Sequence, residues 1–351
     1  MTVPPTSPST PSHLQVVGLS GIGEVHEGDD VAGLVVDALH AQRASLSDGD
    51  VIAVSSKVVS KALGLTAPAA ARDEVVLRES RRLVAARRTP NGTARIVEAA
   101  AGPVMAAAGV DASNVEGDIV LTLPADPDAA ARQVRAQLHE LTGAVVGVVV
   151  TDTAGRPWRA GQTDFALGVA GLDVLDDLRG STDTSGRELS VTARAVVDEI
   201  AAAADLVKGK TSGVPAALIR GLGDLVLPLD ADDRPGARSL VRTAAGDWFR
   251  LGHVEAVRAA LGAGGVEPPP VEAGTLTDRL RRAAEVSLAA GPVTGGRVHV
   301  KGPALHLEAA DEFSLGALTQ RVLAALWTEF LVGLVERGPD GVLVRVVEHP
   351  R

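Results

Sequence analysis

Short apolar runs alternate with longer amphipathic stretches through most of this chain. Residues 51–54, 119–123, 145–150 and 216–219 are dominated by Val, Ile, Leu and Ala without the spacing of a helix face, and they read as buried strands. Between them apolar positions recur at helical spacing. Residues 30–43 form one such pattern after an acidic start, and residues 128–141 form another after Asp126-Pro127, a favourable helix entry. Residues 192–207 are Ala-rich and stop at Lys208-Gly209, where the glycine can supply a left-handed C-terminal cap. This alternation predicts a core of mixed α and β structure.

The pattern is interrupted once. Gly262 to Gly265 and Pro268-Pro269-Pro270 mark residues 253–270 as a linker. Beyond it, residues 271–351 carry two helical patterns, 275–289 and 315–335, and two strand-like runs, 298–300 and 342–347. They read as an accessory α/β segment. Residues 1–12 are rich in Pro, Ser and Thr without an apolar centre, and read as a disordered tail, not a signal peptide. The expected order is therefore a tail to residue 12, a principal domain over 13–252, the linker and the accessory segment. No internal repeat interrupts it.

Composition narrows the function. With 351 residues the chain can bury a sizeable core. A net charge of −10 makes it a poor partner for nucleic acid or an anionic membrane, and 2% aromatic residues with no Tyr leave little to stack on single strands. The apolar run at 144–150 is too short to cross a bilayer, so a soluble, cytoplasmic protein is expected. The absence of Cys excludes disulfides, thiolate metal sites and Cys nucleophiles. Of the positive charges 29 are Arg and only five are Lys, and four of those five lie in Ser56-Lys57-Val58-Val59-Ser60-Lys61 and Lys208-Gly209-Lys210. A compact ammonium suits a phosphate oxygen in a tight site better than a planar guanidinium does, which directs attention to phosphate chemistry.

The densest polar segment, residues 151–164, directly follows the apolar run at 145–150. Groups at the C-terminal end of a buried strand are placed to face a ligand crevice. There Asp152 beside Thr153 offers hard oxygen ligands for Mg²⁺ or Mn²⁺, and Arg156 and Arg159 are expected to hold anionic oxygens. The plainer alternative is a turn in which Asp152 caps a helix and Trp158 enters the core. In residues 108–114, Asp111 is a second candidate metal ligand and Asn114 a partner for a phosphate or base, although taken alone the segment reads as an Asx turn. Ser56 and Lys61 follow another apolar strand and can face one phosphate. Gly21-Ile22-Gly23-Glu24-Val25 permits close backbone approach to a ligand. Lys208-Gly209-Lys210-Thr211 is not a Walker A loop: position 204 is Ala where that loop needs Gly, and the stretch ends a helix instead of opening one. No His pair has HExxH spacing.

In order and spacing these segments resemble the coenzyme F420:L-glutamate ligase (gamma-glutamyl ligase) family over about residues 17–252. The resemblance is carried by Gly28-Asp29-Asp30, Asp48-Gly49-Asp50-Val51, Ser56 to Lys61, Ala108 to Asn114, Thr151-Asp152-Thr153 through Thr163-Asp164, and Asp198-Glu199-Ile200-Ala201 through Lys210. It implies an α+β, mixed-sheet gamma-glutamyl ligase fold, here with a small C-terminal α/β extension, assembled as a homodimer. It also implies GTP-dependent addition of L-glutamate to F420-0 and F420-1 through an acyl phosphate. Carried over residue by residue, it gives metal ligation to Asp111, Asp152 and Thr153, nucleotide contacts to Ile22, Gly23, Glu24, Val25, Ser56, Lys61 and Asn114, and catalytic roles to Asp111, Asp152 and Lys61. Mg²⁺ or Mn²⁺ is the implied ion, with K⁺ as a further candidate. The family often has Pro where Gly23 stands, and residues 220–223 are expected to line the site without an assigned role. Some relatives carry an FMN-binding domain of about 200 residues at this end, for which residues 271–351 are too few. Two other readings fit the same residues: a GTP-binding regulatory protein, and an acid–amine ligase acting on another carboxylate.

Overall fold

In a computed structural model of the protein, described over residues 11–89, 92–113, 117–231, 234–242, 247, 249–266, 270–338 and 341–348, three of the four apolar runs become neighbouring strands of one sheet, while residues 119–121 pair with residues 66–68 in a separate two-stranded sheet. Most of the expected tail, residues 1–10, lies outside the described residues, as do Asn114, Pro268 and Pro269. In chain order the first elements are β1 (Gln15–Leu19), α1 (Val31–Ala41), β2 (Val51–Ser55), α2 (Ser56–Ala62), β3 (Thr66–Pro68) and α3 (Arg72–Arg78). A hairpin of β4 (Ser80–Thr89) and β5 (Gly92–Ala99) follows, then β6 (Val104–Ala106), β7 (Ile119–Leu121), α4 (Pro127–Thr142), β8 (Gly147–Arg156) and β9 (Arg159–Ala170). Two short strands, β10 (Asp176–Asp177) and β11 (Ala193–Arg194), precede α5 (Val196–Lys208) and β12 (Ala216–Arg220). The remainder comprises α6 (His253–Ala260), α7 (Leu276–Ala289), β13 (Arg297–Lys301), β14 (Ala304–Glu308), α8 (Glu312–Thr328), β15 (Leu331–Gly338) and β16 (Gly341–Glu348).

The chain divides into two compact units, one of residues 1–79 and 100–242, the other of residues 80–99 and 243–351. The first is built on a five-stranded sheet in the order β1-β12-β2-β8-β9, with β2 and β8 parallel and every other neighbour antiparallel. This is the mixed sheet of an α+β fold. In its central strands the stretches 51–54, 148–150 and 216–219 are apolar at every position because both faces are covered. Val51, Ala53, Val149, Ala217 and Ile219 pack with Val197, Ile200, Ala201 and Ala204 of α5. The alternate residues Ile52, Val54, Val148, Val150 and Leu218 point the other way and are also buried; α4 packs on β8 and β9, and α1 packs on α4 and β1.

Local chemistry sets the helix ends. Asp30 caps α1 by accepting from the Ala32 N–H at 3.1 Å, and Asp126 caps α4 by accepting from the Ala129 N–H at 3.0 Å. The helix expected over 192–207 begins only at Val196, because Ala193 and Arg194 pair with Asp177 and Asp176 as a strand. It ends at Gly209 with φ 62° and ψ 165°, a positive-φ turn but not the left-handed helical cap expected there.

In the second unit, α7 and α8 pack on a four-stranded antiparallel sheet ordered β13-β14-β16-β15. Its core includes Leu280, Leu305, Leu307, Leu318, Val322, Leu326 and Val344. The helix expected over 315–335 stops at Thr328, and Leu331 opens a strand. Phe330 between them has φ 59°, which no helix continues through, and the run Leu331-Val332-Gly333-Leu334-Val335 fits a strand as well as a helix. Glu329 at this turn is almost wholly buried. It accepts from Arg258 at 2.6 Å and from Arg282 at 2.6 Å, while Arg279 donates to its backbone carbonyl at 2.6 Å. Within the stretch read as a linker, residues 253–260 are helical, and Glu255 of α6 bonds Arg82 of the hairpin at 2.6 Å.

Candidate active site

A cleft of about 630 Å³ opens in the first unit where β2 ends beside Thr151, Asp152 and Thr153 of β8. β2 and β8 run parallel with Ser55 beside Thr151, so the polar groups that follow their apolar runs must meet there. Ser55 and the start of α2 come from β2, Thr151 to Thr153 come from β8, and residues 22–25 after β1 form another wall. The last turn of α5 and the residues after it bring Lys208 and Lys210. All four clustered lysines line this one cleft.

Each lysine has a carboxylate or hydroxyl at hand. Lys61 bonds Glu24 at 2.5 Å, which ties α2 to the loop 22–25. Lys57 bonds Asp111 at 2.8 Å and donates to the Ser113 carbonyl at 3.1 Å. Lys210 donates to the Thr153 hydroxyl at 2.8 Å. Lys208 is buried and pairs with buried Asp164 at 2.7 Å. Asp164 sits opposite Thr153 in the β8–β9 register and accepts its hydroxyl at 2.6 Å, and that of Thr151 at 3.0 Å.

The carboxylates differ in how well their charge is met. Burial would raise Asp111, but hydrogen bonding and charge from Lys57, with the N–H and hydroxyl of Ser113, hold it below the ordinary carboxylate value. Asp164 is likewise lowered: burial opposes its ionisation, and the Lys208 ammonium beside it outweighs burial. Among the described residues no ammonium counts with burial, the Thr153 N–H, the Ser56 hydroxyl and the carboxylates of Asp164 and Asp111 among the main influences on Asp152. Burial pushes it up to about 6, the charges of Asp164 and Asp111 add to the rise, and the Thr153 N–H and the Ser56 hydroxyl at 3.1 Å only partly oppose it. The donors of Asp152, Asp111 and Thr153 are hard oxygens, the set that Mg²⁺ or Mn²⁺ prefers.

The cleft thus brings together Ile22, Gly23, Glu24, Val25, Lys61, Asp152 and Thr153, while Ser56 and Asp111 reach it through Asp152 and Lys57. The Asx turn at Asp111 is present too: the Ser113 N–H donates to Asp111 at 2.8 Å, so that segment serves both readings. Asn114 lies outside the described residues.

Three expectations change. Residues 151–164 form neither a helix cap nor a crevice loop throughout but the long hairpin β8–β9, and Trp158 at its tip is 92% exposed. Arg156 and Arg159 face each other beside that tip, exposed and away from the cleft walls, because the hairpin carries them beyond the sheet. Residues 220–223 lie at the opposite end of β12: Arg220 pairs with Asp50 at 3.0 Å, and Gly221 to Gly223 line a second pocket. Sequence reasoning flagged the lysine clusters but assigned nothing to Asp164, Lys208 or Lys210. The scarcity of Lys was the signal that could have placed the last two.

Comparison with known proteins bears on the same segments. The family model for F420-0:Gamma-glutamyl ligase matches residues 21–72 and 65–221, which contain every residue of the cleft. The chain is 40% identical over 247 residues to the coenzyme F420:L-glutamate ligase of Methanopyrus kandleri, covering 65% of this chain and 94% of that protein. It is 38% identical over 258 residues to the coenzyme F420:L-glutamate ligase of Halobacterium salinarum, covering 68% of this chain and 96% of that protein. The ligase of the same name from Natronomonas pharaonis is 36% identical over 268 residues, with 68% and 99% covered. With its cleft, its mixed sheet and more than half its length matched, this chain belongs to the F420-0:gamma-glutamyl ligase family.

Proposed function

We propose that this protein is a coenzyme F420-0:L-glutamate ligase that uses GTP, forms an acyl phosphate and adds L-glutamate to F420-0 and F420-1. The observation that carries this reading is the convergence of four of the five lysines on a cleft that also holds the buried Asp152, whose carboxyl is pushed up to about 6. A carboxylate does not react with an amine until one of its oxygens becomes a leaving group. In the first step a substrate carboxylate oxygen bonds to the γ-phosphorus of GTP, the bond from that phosphorus to the bridging oxygen breaks, and GDP leaves. In the second the glutamate nitrogen bonds to the acyl carbon, inorganic phosphate leaves, and the nitrogen gives up a proton. Neither step needs a protein nucleophile. Both need charge neutralisation and positioning, which lysines and backbone N–H groups supply.

Ile22 to Val25, Ser56, Lys61 and Asn114 would contact the nucleotide, with Lys61 exchanging Glu24 for a phosphate oxygen. Asp111, Asp152 and Thr153 would hold Mg²⁺ or Mn²⁺, which supplies Lewis-acid neutralisation of the terminal phosphates. Among the described residues no group of three or more His, Cys, Asp or Glu is gathered for a metal, and a Mg²⁺ site of one or two carboxylates completed by phosphate oxygens needs none. K⁺ is a further candidate ion. The protein would act in the cytoplasm as a homodimer; among the described residues no helix is long and apolar enough to cross a membrane.

Mass spectrometry of products from F420-0, GTP, L-glutamate and Mn²⁺ tests the reading. Mass additions of glutamyl units with GDP and phosphate released in equal amount are expected. GTP binding without glutamate-dependent release of GDP would identify a regulatory protein instead, and turnover only with another acid would identify an acid–amine ligase of different substrate.

A further inference from the structure

We propose that Asp164, held in place by Lys208, is a positioning residue for the Thr153 hydroxyl, turning that oxygen into a pure acceptor aimed into the cleft. The inference rests on the reading of Thr153 as a ligand of a divalent cation and goes beyond it by naming what prepares the ligand. A hydroxyl has one hydrogen and two lone pairs. In this structure the hydrogen of Thr153 goes to Asp164 Oδ1 at 2.6 Å. The lone pairs are then left for a positively charged partner, and Lys210 already donates to the same oxygen at 2.8 Å. A cation of either kind meets an oxygen that cannot point its own hydrogen at it.

Asp164 is built for this task. The β8–β9 register sets it directly opposite Thr153. Its second oxygen, Oδ2, accepts from Lys208 at 2.7 Å and from the Thr151 hydroxyl at 3.0 Å, so the carboxylate plane is fixed and Oδ1 is left for Thr153. Lys208 also donates to Thr151 at 2.5 Å, which closes the network. Asp164, Lys208 and Thr151 are all buried. A buried ion pair is a poor way to join a strand to a helix: well-packed apolar side chains of similar volume usually do it as well or better. What an apolar pair cannot do is accept the Thr153 hydrogen. Residues of this kind, which orient a ligand from behind, typically change metal affinity by about 10–100-fold when replaced.

The test is Mn²⁺ affinity, read from the electron paramagnetic resonance signal of free Mn²⁺ with the full chain and GDP, so that no turnover is needed. Thr153→Val and Asp164→Asn should each weaken Mn²⁺ binding by about tenfold or more. The double variant should be no weaker than Thr153→Val alone, because without the hydroxyl Asp164 has nothing to orient. Thr153→Ser, which keeps the hydroxyl, should remain sensitive to Asp164→Asn. The apolar replacement Asp164→Leu with Lys208→Met should keep a melting temperature near that of the parent protein and still bind Mn²⁺ weakly. Multiplying effects in the Thr153/Asp164 double variant, or recovery of Mn²⁺ affinity in the Leu/Met variant, would overturn the positioning role. A parent protein that takes up no Mn²⁺ with GDP present would overturn the metal reading and this inference with it, whereas tight binding unchanged by Asp164→Asn sinks the inference alone.

Discussion

Asp152 is where function and stability pull apart. Its carboxyl titrates at about 6 in the folded protein against an ordinary 3.8, so the folded state binds this proton more tightly than the unfolded chain does. The contribution to stability is present below 3.8, is lost as pH rises to about 6, and above that the ionised group costs the fold on the order of 1–3 kcal/mol. Asp152→Asn should therefore raise the melting temperature at neutral pH without divalent cation, and the gain should vanish in acid. The same substitution should leave less than about a tenth of the parental rate at saturating Mn²⁺, a loss of roughly 2–4 kcal/mol in transition-state stabilisation. A variant both active and more stable would remove Asp152 from the chemistry. The two lysines of α2 should separate by parameter. Lys61→Arg replaces a compact ammonium that now bonds Glu24, and should act on KM for GTP. Lys57→Arg puts a bidentate fork on Asp111 and should act on the Mn²⁺ concentration needed for half-maximal rate. Equal shifts in both parameters for both variants would contradict this division.

Elements tell how far periodicity carries. The strands expected over 51–54 and 216–219, found over 51–55 and 216–220, and the helices capped by Asp30, Asp126 and Thr275 were legible because unbroken apolar runs marked the strands, and helical spacing after a capping residue marked the helices. Residues 315–335 were not, because Leu331 to Val335 satisfies either period and the break depends on the backbone of Phe330, a residue with no turn preference. The hairpin β8–β9 was missed for a related reason: residues 155–162 are exposed on both faces and mix Gly, Pro, Arg, Trp and Ala, so no apolar–polar alternation marks them as strand. In the site, the ligand candidates could be read from motifs, but Lys208 and Asp164 come from different elements, and only register and helix phase join them. The turn after α8 offers a direct test of element-level energetics. Glu329→Gln would leave Arg258 buried without its countercharge, and unfolding in urea should show a loss of about 3–5 kcal/mol. A loss under about 1 kcal/mol would mean that the arginines find other acceptors, as groups in water do.

At the scale of the whole molecule the boundary between the units does not follow the chain. The hairpin β4–β5 belongs with residues 243–351, and α6 packs on β4, with Gly252 lying close against the Val84 backbone. A chain ending at Gly252 should keep its specific activity, because every cleft residue lies in the first unit, but its soluble yield should fall, because the hairpin loses α6, which packs on β4. Complete loss of activity per folded molecule, with circular dichroism otherwise as expected, would show that the second unit contributes to the cleft. The same interleaving has a consequence for biogenesis. During translation the hairpin leaves the ribosome well before α6 and the rest of its unit, separated from them by roughly 140 residues; at about 5–20 residues per second that is a wait of roughly 7–28 seconds. For that interval the hairpin lacks α6, which packs on β4 in the finished protein. A nascent chain stalled before residue 243 is thus the form most exposed to chaperones and proteases, and codons that slow synthesis between residues 100 and 242 should lower yield without altering the finished enzyme.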